Sequence, residues 1–543
     1  MTRKRTERLP ANNNIEQNIQ LDGKSQVGKI IQIGSLVLDT SDPRQIRKLF
    51  FAGLAATILL GGLIVTTFLL QRQQIIVNAE KPGGPMTGVF NVAVAPFLQE
   101  NDLGFGLPTN KGVALARGIY EALVPIETEL KNKHVDFQVR PPDQIEVSAE
   151  TEIDLRSAPF DTWADELAHN PGLLADLLIY GYISRDGKSL SLIMYLDGGR
   201  LREAEDMTGH YRLGELLTSG GSILDNPAAD QEVRDQIGAL SGALARFALG
   251  LGYYAMTNVG EAQVYFDEAQ KQWPDEIGYP EGQTERLKRP AEQALYLFQS
   301  KVAGLHGDLP SARNYLDEAL ALDDGYARAW LGLGQLDYLQ SIVDCASGQV
   351  DLQGMEQAIR KYEHAAGLSD QPPSAYIRIK ADYYTARVYH CISPAEDHWQ
   401  EAQDKYWSVI CQADPESSQR VECQEIPNLG DGDSVLNTLA SNAYRDLAIL
   451  HFVQNPTDTA ILERVEEYFD RAIDLTTHPN RLALLYTWLA DVHRIKGDCA
   501  QARQDLARAG KYYEQYTRQD DRLTDEKFEA FFEDVNDDLQ DPC

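Results

Sequence analysis

The chain has 543 residues, of which 43% are hydrophobic and 24% charged, and it carries a net charge of −32. So large an acid excess repels phosphate backbones and anionic head groups, which argues against a nucleic-acid partner. The length is ample for more than one folded unit.

In chain order, residues 1–48 form a short polar tail. Ile15, Ile19 and Leu21, then Asp22-Gly23, then Val27, Ile31 and Ile33 could make one hairpin. A segment this short buries little core by itself, and it is too small for a kinase or cyclase. Leu49 to Leu70 contains no charged residue and matches the roughly 20 apolar residues that a membrane-spanning helix needs. Arg3, Lys4, Arg5, Arg8, Arg44, Arg47 and Lys48 precede it, against Arg72 and Lys81 shortly after it. That bias sets the N-terminus in the cytoplasm and the rest of the chain outside, across a membrane crossed once. Val77-Asn78-Ala79 imitates a signal-peptide cleavage site. The preceding polar region is too long for a signal peptide, however, and the apolar run too long for its core. Gly53, Thr57 and Gly61 make a small-residue ridge on which two such helices could pair as a homodimer. Residues 1–49 hold 9 basic and 5 acidic side chains, a net of +4, so the total of −32 leaves −36 on the remainder.

After a linker at 71–87, residues 88–214 carry the signs of a separate α/β domain. Val92 to Phe97 is a short buried strand closed by proline, Lys111 to Lys131 has helical periodicity, and Phe137 to Val139 is a second strand. A helix is expected near Thr162 to His169. Leu177–Ser184 and Ser189–Leu196 flank Arg185-Asp186-Gly187 and predict a hairpin. A last strand is expected around Glu203 to Tyr211. This order, with its A-V-A-P-F start and L-L-I-Y-G-Y-I-S-R-D-G-K-S-L-S-L run, resembles the N-terminal domain of the TolB family. The resemblance implies a compact protein-binding module and a bacterial source. TolB's β-propeller is absent, so its cellular role does not carry over.

Residues 215–515 hold a repeat. Leu249, Gly250, Tyr253, Ala262, Phe266, Ala269 and Pro274 recur in pattern as Tyr296, Ser300, Gly307, Ala312, Leu316 and Ala319. Trp330, Leu333 and Gly334 with Ala358, Tyr362 and Ala365 repeat it again, as do Tyr486, Leu489, Ala490, Gly497, Ala502, Leu506 and Ala509. Two further units are degenerate, one from about Ser374 to Pro415 with an overlong first helix, the other around Tyr444, Leu447, Ala448, Val465, Phe469 and Ala472. These spacings resemble the tetratricopeptide family, which implies a solenoid of antiparallel helix pairs whose first helices line a groove for a polypeptide. On that basis Phe247, Leu251, Tyr254, Arg328, Leu331, Gln335 and Tyr338 are the expected peptide-binding groove. The overall class is thus α+β: tail, membrane helix, small α/β domain, helical solenoid, and an acidic capping helix at 516–543 that packs Phe528, Phe531 and Phe532 on the last repeat.

All six cysteines follow the apolar segment, and disulfides fit an oxidising exterior. Each solenoid unit touches only its neighbours, which places cysteines on shared edges. The expected pairs are Cys345 with Cys391, Cys411 with Cys423, and Cys499 with Cys543. No chemistry-bearing motif is complete. His390, Cys391 and His398 lack a close-spaced cysteine pair for zinc. Asp534, Asn536 and Asp538 open like a calcium loop, but Leu539 replaces its turn glycine. The expectation is therefore no catalytic residue, no metal and no cofactor. The chain is expected to be a membrane-anchored extracytoplasmic scaffold for a protein or peptide client. The alternative is a transmembrane sensor that relays outside binding to the tail.

Overall fold

The computed structural model describes residues 85–543, apart from 133–135, 148–152, 155–162, 198–200, 274–289, 369–374, 427–433, 518–525, 540–543 and scattered single positions. The tail, the expected membrane helix and nearly all of the linker lie outside the described residues. Among the described residues no helix is long and apolar enough to cross a membrane.

The α/β part is built on one eight-stranded sheet. Strands β1 (Phe90–Val94), β2 (Leu98–Glu100), β3 (Phe105–Pro108), β4 (Phe137–Arg140), β5 (Ile153–Asp154), β6 (Leu177–Ile183), β7 (Ser189–Leu196) and β8 (Gly209–Leu217) compose it, with helix α1 (Asn110–Asn132) between β3 and β4. β6 is central. It pairs in parallel with β1 at Val92↔Leu177 and, further along, with β2 at Leu98↔Tyr182. On its other edge it pairs antiparallel with β7. Pro96 lacks an N–H for a ladder, so one strand path breaks there into β1 and β2. Gly112, at the start of α1, lies against this break, where a Cβ would collide with the Phe97 carbonyl. The expected hairpin is present. Its turn closes with the Gly187 N–H donating to the Ser184 carbonyl at 2.8 Å, and Gly187 takes φ +67°. The last strand runs Gly209–Leu217, past the expected domain boundary at 214, and the β2–β3 hairpin was not foreseen. Of the helix expected near Thr162–His169, the described positions Trp163, Ala164, Leu167 and Ala168 are helical, and the others lie outside the described residues.

Six helix pairs follow among the described residues: α2 (Pro227–Ala255) with α3 (Val259–Gln272), α4 (Pro290–Leu305) with α5 (Leu309–Leu322), and α6 (Ala327–Ser341) with α7 (Leu352–Leu368). Next come α8 (Ala375–Ile392) with α9 (Trp399–Ala413), α10 (Ser434–Gln454) with α11 (Thr459–Asp474), and α12 (Pro479–Ile495) with α13 (Cys499–Thr517). Helix α14 (Glu526–Asp538) closes the stack, its Phe531 ring 4.6 Å from Trp488 and its Phe528 ring 4.4 Å from Tyr513.

The small residues do at the crossings what their spacing predicts. A Cβ on Gly250 would stand 2.5 Å from the Phe266 ring, and one on Gly334 the same distance from the Tyr362 ring. Ala262, Ala269, Ala358, Ala365, Ala502 and Ala509 are all fully buried. The second and sixth pairs turn alike: Gly307 and Gly497 take φ near +78°, which suits glycine. The aspartate that follows caps the next helix, Asp308 accepting from the Ser311 N–H and Asp498 from the Gln501 N–H, both at 3.1 Å.

The α/β part packs directly on the repeats: a continuous apolar core runs from Val92, Leu177 and Leu192 in the sheet through Phe247 and Phe298 to Leu333. Gly252 in α2 lies close to Phe137 and Leu130, and the Tyr265 hydroxyl donates to Glu129 of α1 at 3.1 Å. The helices from α6 to α12 share a second core, the far face of the sheet has a third around Tyr180 and Tyr195, and α13 packs with α14 in a fourth around Ala502, Leu506 and Val535.

Candidate functional site

The expected groove is not open. Phe247 is packed between Phe266 and Phe298, with ring centroids 5.6 and 5.4 Å away, and Leu251 and Tyr254 are buried beside them. Leu331 is buried as well, and Gln335 accepts from the Tyr362 hydroxyl at 3.2 Å. Arg328 is 7% exposed; its guanidinium donates to the Thr208 carbonyl at 2.8 Å and lies 4.7 Å over the Tyr211 ring. The physical reason is plain. β8 and the loop before it seat on α4 and α6 and close off Arg328; Phe247 and Tyr254 pack on rings of the neighbouring helices α3 and α4; and Leu331 and Tyr338 belong to the core shared with α7 and α8. The aromatic enrichment there is core burial, not a peptide surface.

Further along, the first helices α6, α8 and α10 share a polar cluster. The Tyr383 hydroxyl donates to Asp446 at 2.7 Å, Arg445 donates to the other Asp446 oxygen at 2.7 Å, and the Arg387 guanidinium lies 5.3 Å from the Tyr338 ring centroid. The Tyr338 hydroxyl in turn donates to the Cys391 sulfur at 3.3 Å. Burial works to raise the Asp446 carboxyl, but the Arg445 and Arg387 charges, with hydrogen bonds from Arg445 and Tyr383, hold it below the ordinary aspartate range. Burial drives the Tyr383 phenol well up, aided by Asp446, and pushes the His390 imidazole down. A cluster so internally paired is a pillar of the stack. It holds no nucleophile poised beside a base, and no group of three potential metal ligands occurs among the described residues.

Two of the three expected cysteine pairs are present. Cys345 is bonded to Cys391, with Cα atoms 4.5 Å apart, and Cys411 to Cys423, with Cα atoms 5.1 Å apart. Cys499 is also disulfide-bonded; its expected partner Cys543 lies outside the described residues.

The first of these bonds borders an open cleft of about 260 Å³ between α7 and the end of α8. Leu352, Met355 and Ile359 follow one another along one face of α7, and Tyr389 and Ile392 face them from α8. Glu356, Arg360, Glu396 and His398 line the cleft as well. A short hairpin, β9 (Ile342–Asp344) with β10 (Gln349–Val350), leads into α7 and carries Cys345. At Gly348, with φ +68°, the hairpin lies against Pro394 and Ala395 of the loop that bears Glu396. This cleft was missed from sequence. Its trace there is the i, i+3, i+7 spacing of Leu352, Met355 and Ile359, which is shared with any helix that faces a core.

No family model matches the chain, and no curated protein matches it. Among solved structures it is similar to BtubC from P. vanneervenii at 14% identity, covering 48% of this chain and 92% of that one with a TM-score of 0.32. It is also similar to the C-terminal part of a TPR repeat-containing protein from Cytophaga hutchinsonii, at 13% identity, with 53% and 87% covered and a TM-score of 0.27. A third similarity is to the APC/C hetero-tetramer Cut9-Hcn1, at 11% identity, with 58% and 52% covered and a TM-score of 0.34. Scores this low carry no weight for the whole architecture. The tetratricopeptide-like pairs stand on the glycine and alanine crossings of the chain itself.

Proposed function

We propose that this chain is a noncatalytic protein-binding scaffold, held at the bacterial cytoplasmic membrane by Leu49–Leu70 with its body outside. The observation that carries the binding role is the stack itself. Six helix pairs among the described residues present neighbouring-unit surfaces, and at α7–α8 one of these is an open cleft, lined by apolar and charged side chains and braced by a disulfide. Preformed surfaces of this kind suit polypeptide recognition, because little ordering entropy is spent on binding. The outward orientation draws support from the basic residues ahead of the apolar segment and from the disulfides, which persist in an oxidising compartment.

Affinity capture with the full chain from envelope extracts, followed by mass spectrometry, tests the binding role. Recovery of the same polypeptides from independent preparations is expected; recovery of none contradicts it. Replacing the first 48 residues by an unrelated basic leader separates scaffold from sensor, since a scaffold keeps its client and its cellular effect. Protease added to intact spheroplasts should digest the chain beyond Thr87, and protection of the repeats would overturn the orientation.

A further inference from the structure

We infer that the α7–α8 cleft is a docking site for a polypeptide segment that presents one apolar side chain flanked by lysine or arginine, which rests on the scaffold function proposed above. Volume sets the class of occupant. At about 260 Å³ the cleft falls below the roughly 300–1,000 Å³ of ordinary small-molecule sites, and its open form suits a side chain that enters from a bound chain. Its floor is apolar and already shaped. Met355 and Ile392 are buried, while Leu352 remains 36% exposed at the mouth.

Charge selects the flanks. Glu356 and Glu396 stand at the rim with side chains more than half exposed, against the guanidinium of Arg360, which bonds Glu356 at 3.4 Å. His398 bridges Glu396 at 3.7 Å and Glu401 at 3.3 Å. Burial first, and then the charge of Glu363, push the Tyr389 phenol up, against Lys405. Lys405 is itself paired with Asp382 at 2.6 Å. Carboxylates at the rim favour cationic flanks and repel anionic head groups. They also disfavour a second copy of this chain, whose body after residue 49 carries a net −36 out of the total of −32. The walls are fixed in advance by the Cys345–Cys391 bond and by the close approach of Gly348 to Ala395.

The test uses the full chain in detergent micelles and two fluorescent peptides, one with a central phenylalanine between pairs of lysines, the other with glutamates in their place. The lysine peptide should bind at least about tenfold more tightly, a difference of about 1.4 kcal/mol. Leu352→Asp, at the exposed mouth, should weaken it by a similar factor. Glu356→Lys combined with Glu396→Lys should reverse the flank preference. Equal binding of the two peptides, no effect of Leu352→Asp, or displacement of the peptide by phosphatidylglycerol vesicles would each overturn the assignment. So would concentration-dependent dimerisation that Leu352→Asp abolishes. Envelope clients captured equally by wild type and Leu352→Asp would leave the scaffold standing and remove the cleft; wild type that captures nothing would remove both.

Discussion

Adding a single methyl group at Gly334 tests whether α6 and α7 cross as tightly as the repeat requires. In a helix interior, Gly→Ala normally stabilises by about 0.5–1 kcal/mol, because glycine loses more backbone entropy on folding. Gly238, exposed in α2 with nothing within 4 Å of its built Cβ, should show that gain. At Gly334 the new methyl would meet Tyr362 Cε1 at 2.5 Å, Cδ1 at 2.7 Å and the Ala358 carbonyl at 3.2 Å. Carbon atoms pack best at about 3.5–4.0 Å, so the ring must retreat by about 1 Å. It has little room. Tyr362 is fully buried, its hydroxyl is held to Gln335 at 3.2 Å, and its ring lies 5.4 Å from that of Tyr384. Overpacking of this kind costs about 1–3 kcal/mol. The helix-propensity gain is common to both positions and cancels, so Gly334→Ala should be less stable than Gly238→Ala by about 1–3 kcal/mol. Urea unfolding followed by circular dichroism measures the difference. Equal stability of the two variants would refute the crossing.

Three further outcomes follow from the stack. His493 is buried with Nδ1 2.9 Å from Asp505 and Nε2 3.1 Å from Glu466, and these hydrogen bonds and charges raise its imidazole above the ordinary value despite burial. A raised folded pKa gives stability that is full below the unfolded value of about 6.5 and is lost as pH rises through the folded value. The loss of melting temperature in His493→Gln should therefore shrink from pH 6 to pH 9, and a gap independent of pH would count against the clamp. Asp414, only 1% exposed, receives Arg471 at 2.6 and 3.0 Å and the Tyr444 hydroxyl at 3.0 Å; Arg471→Ala should cost about 3–5 kcal/mol in urea unfolding. The Cys345–Cys391 bond closes a separation of 46 residues and Cys411–Cys423 one of 12. Serine pairs should accordingly lose about 4 and about 3 kcal/mol in nonreducing unfolding, and an unchanged midpoint would deny either bond a role.

The repeats were legible because they depend on local spacing. Gly250, Gly334, Ala358 and Ala502 announce helix crossings through their size alone, and Gly307-Asp308 and Gly497-Asp498 announce turns through backbone chemistry. The β6–β7 hairpin was legible for the same reason, with Asp186-Gly187 at its tip. The groove was not. Phe247, Tyr254 and Tyr338 occupy positions that face a client in an open solenoid, and only tertiary packing decides that here the first two meet the Phe298 ring of α4 and the third meets Arg387 and Cys391 of α8. Arg328 illustrates the limit: its partners, Thr208 and Tyr211, lie more than a hundred residues away, and no local pattern marks them. The α7–α8 cleft escaped for the opposite reason, since an apolar helix face has the same spacing whether a neighbour covers it or leaves it open.

Cross-linking mass spectrometry on the full chain with a captured client bound tests the central claim most directly. The account predicts cross-links from the client's lysines to carboxylates around the α7–α8 edge, Glu356 and Glu396 foremost, with loss of those links in Leu352→Asp. Links confined to the α/β part or to the first 48 residues would contradict it.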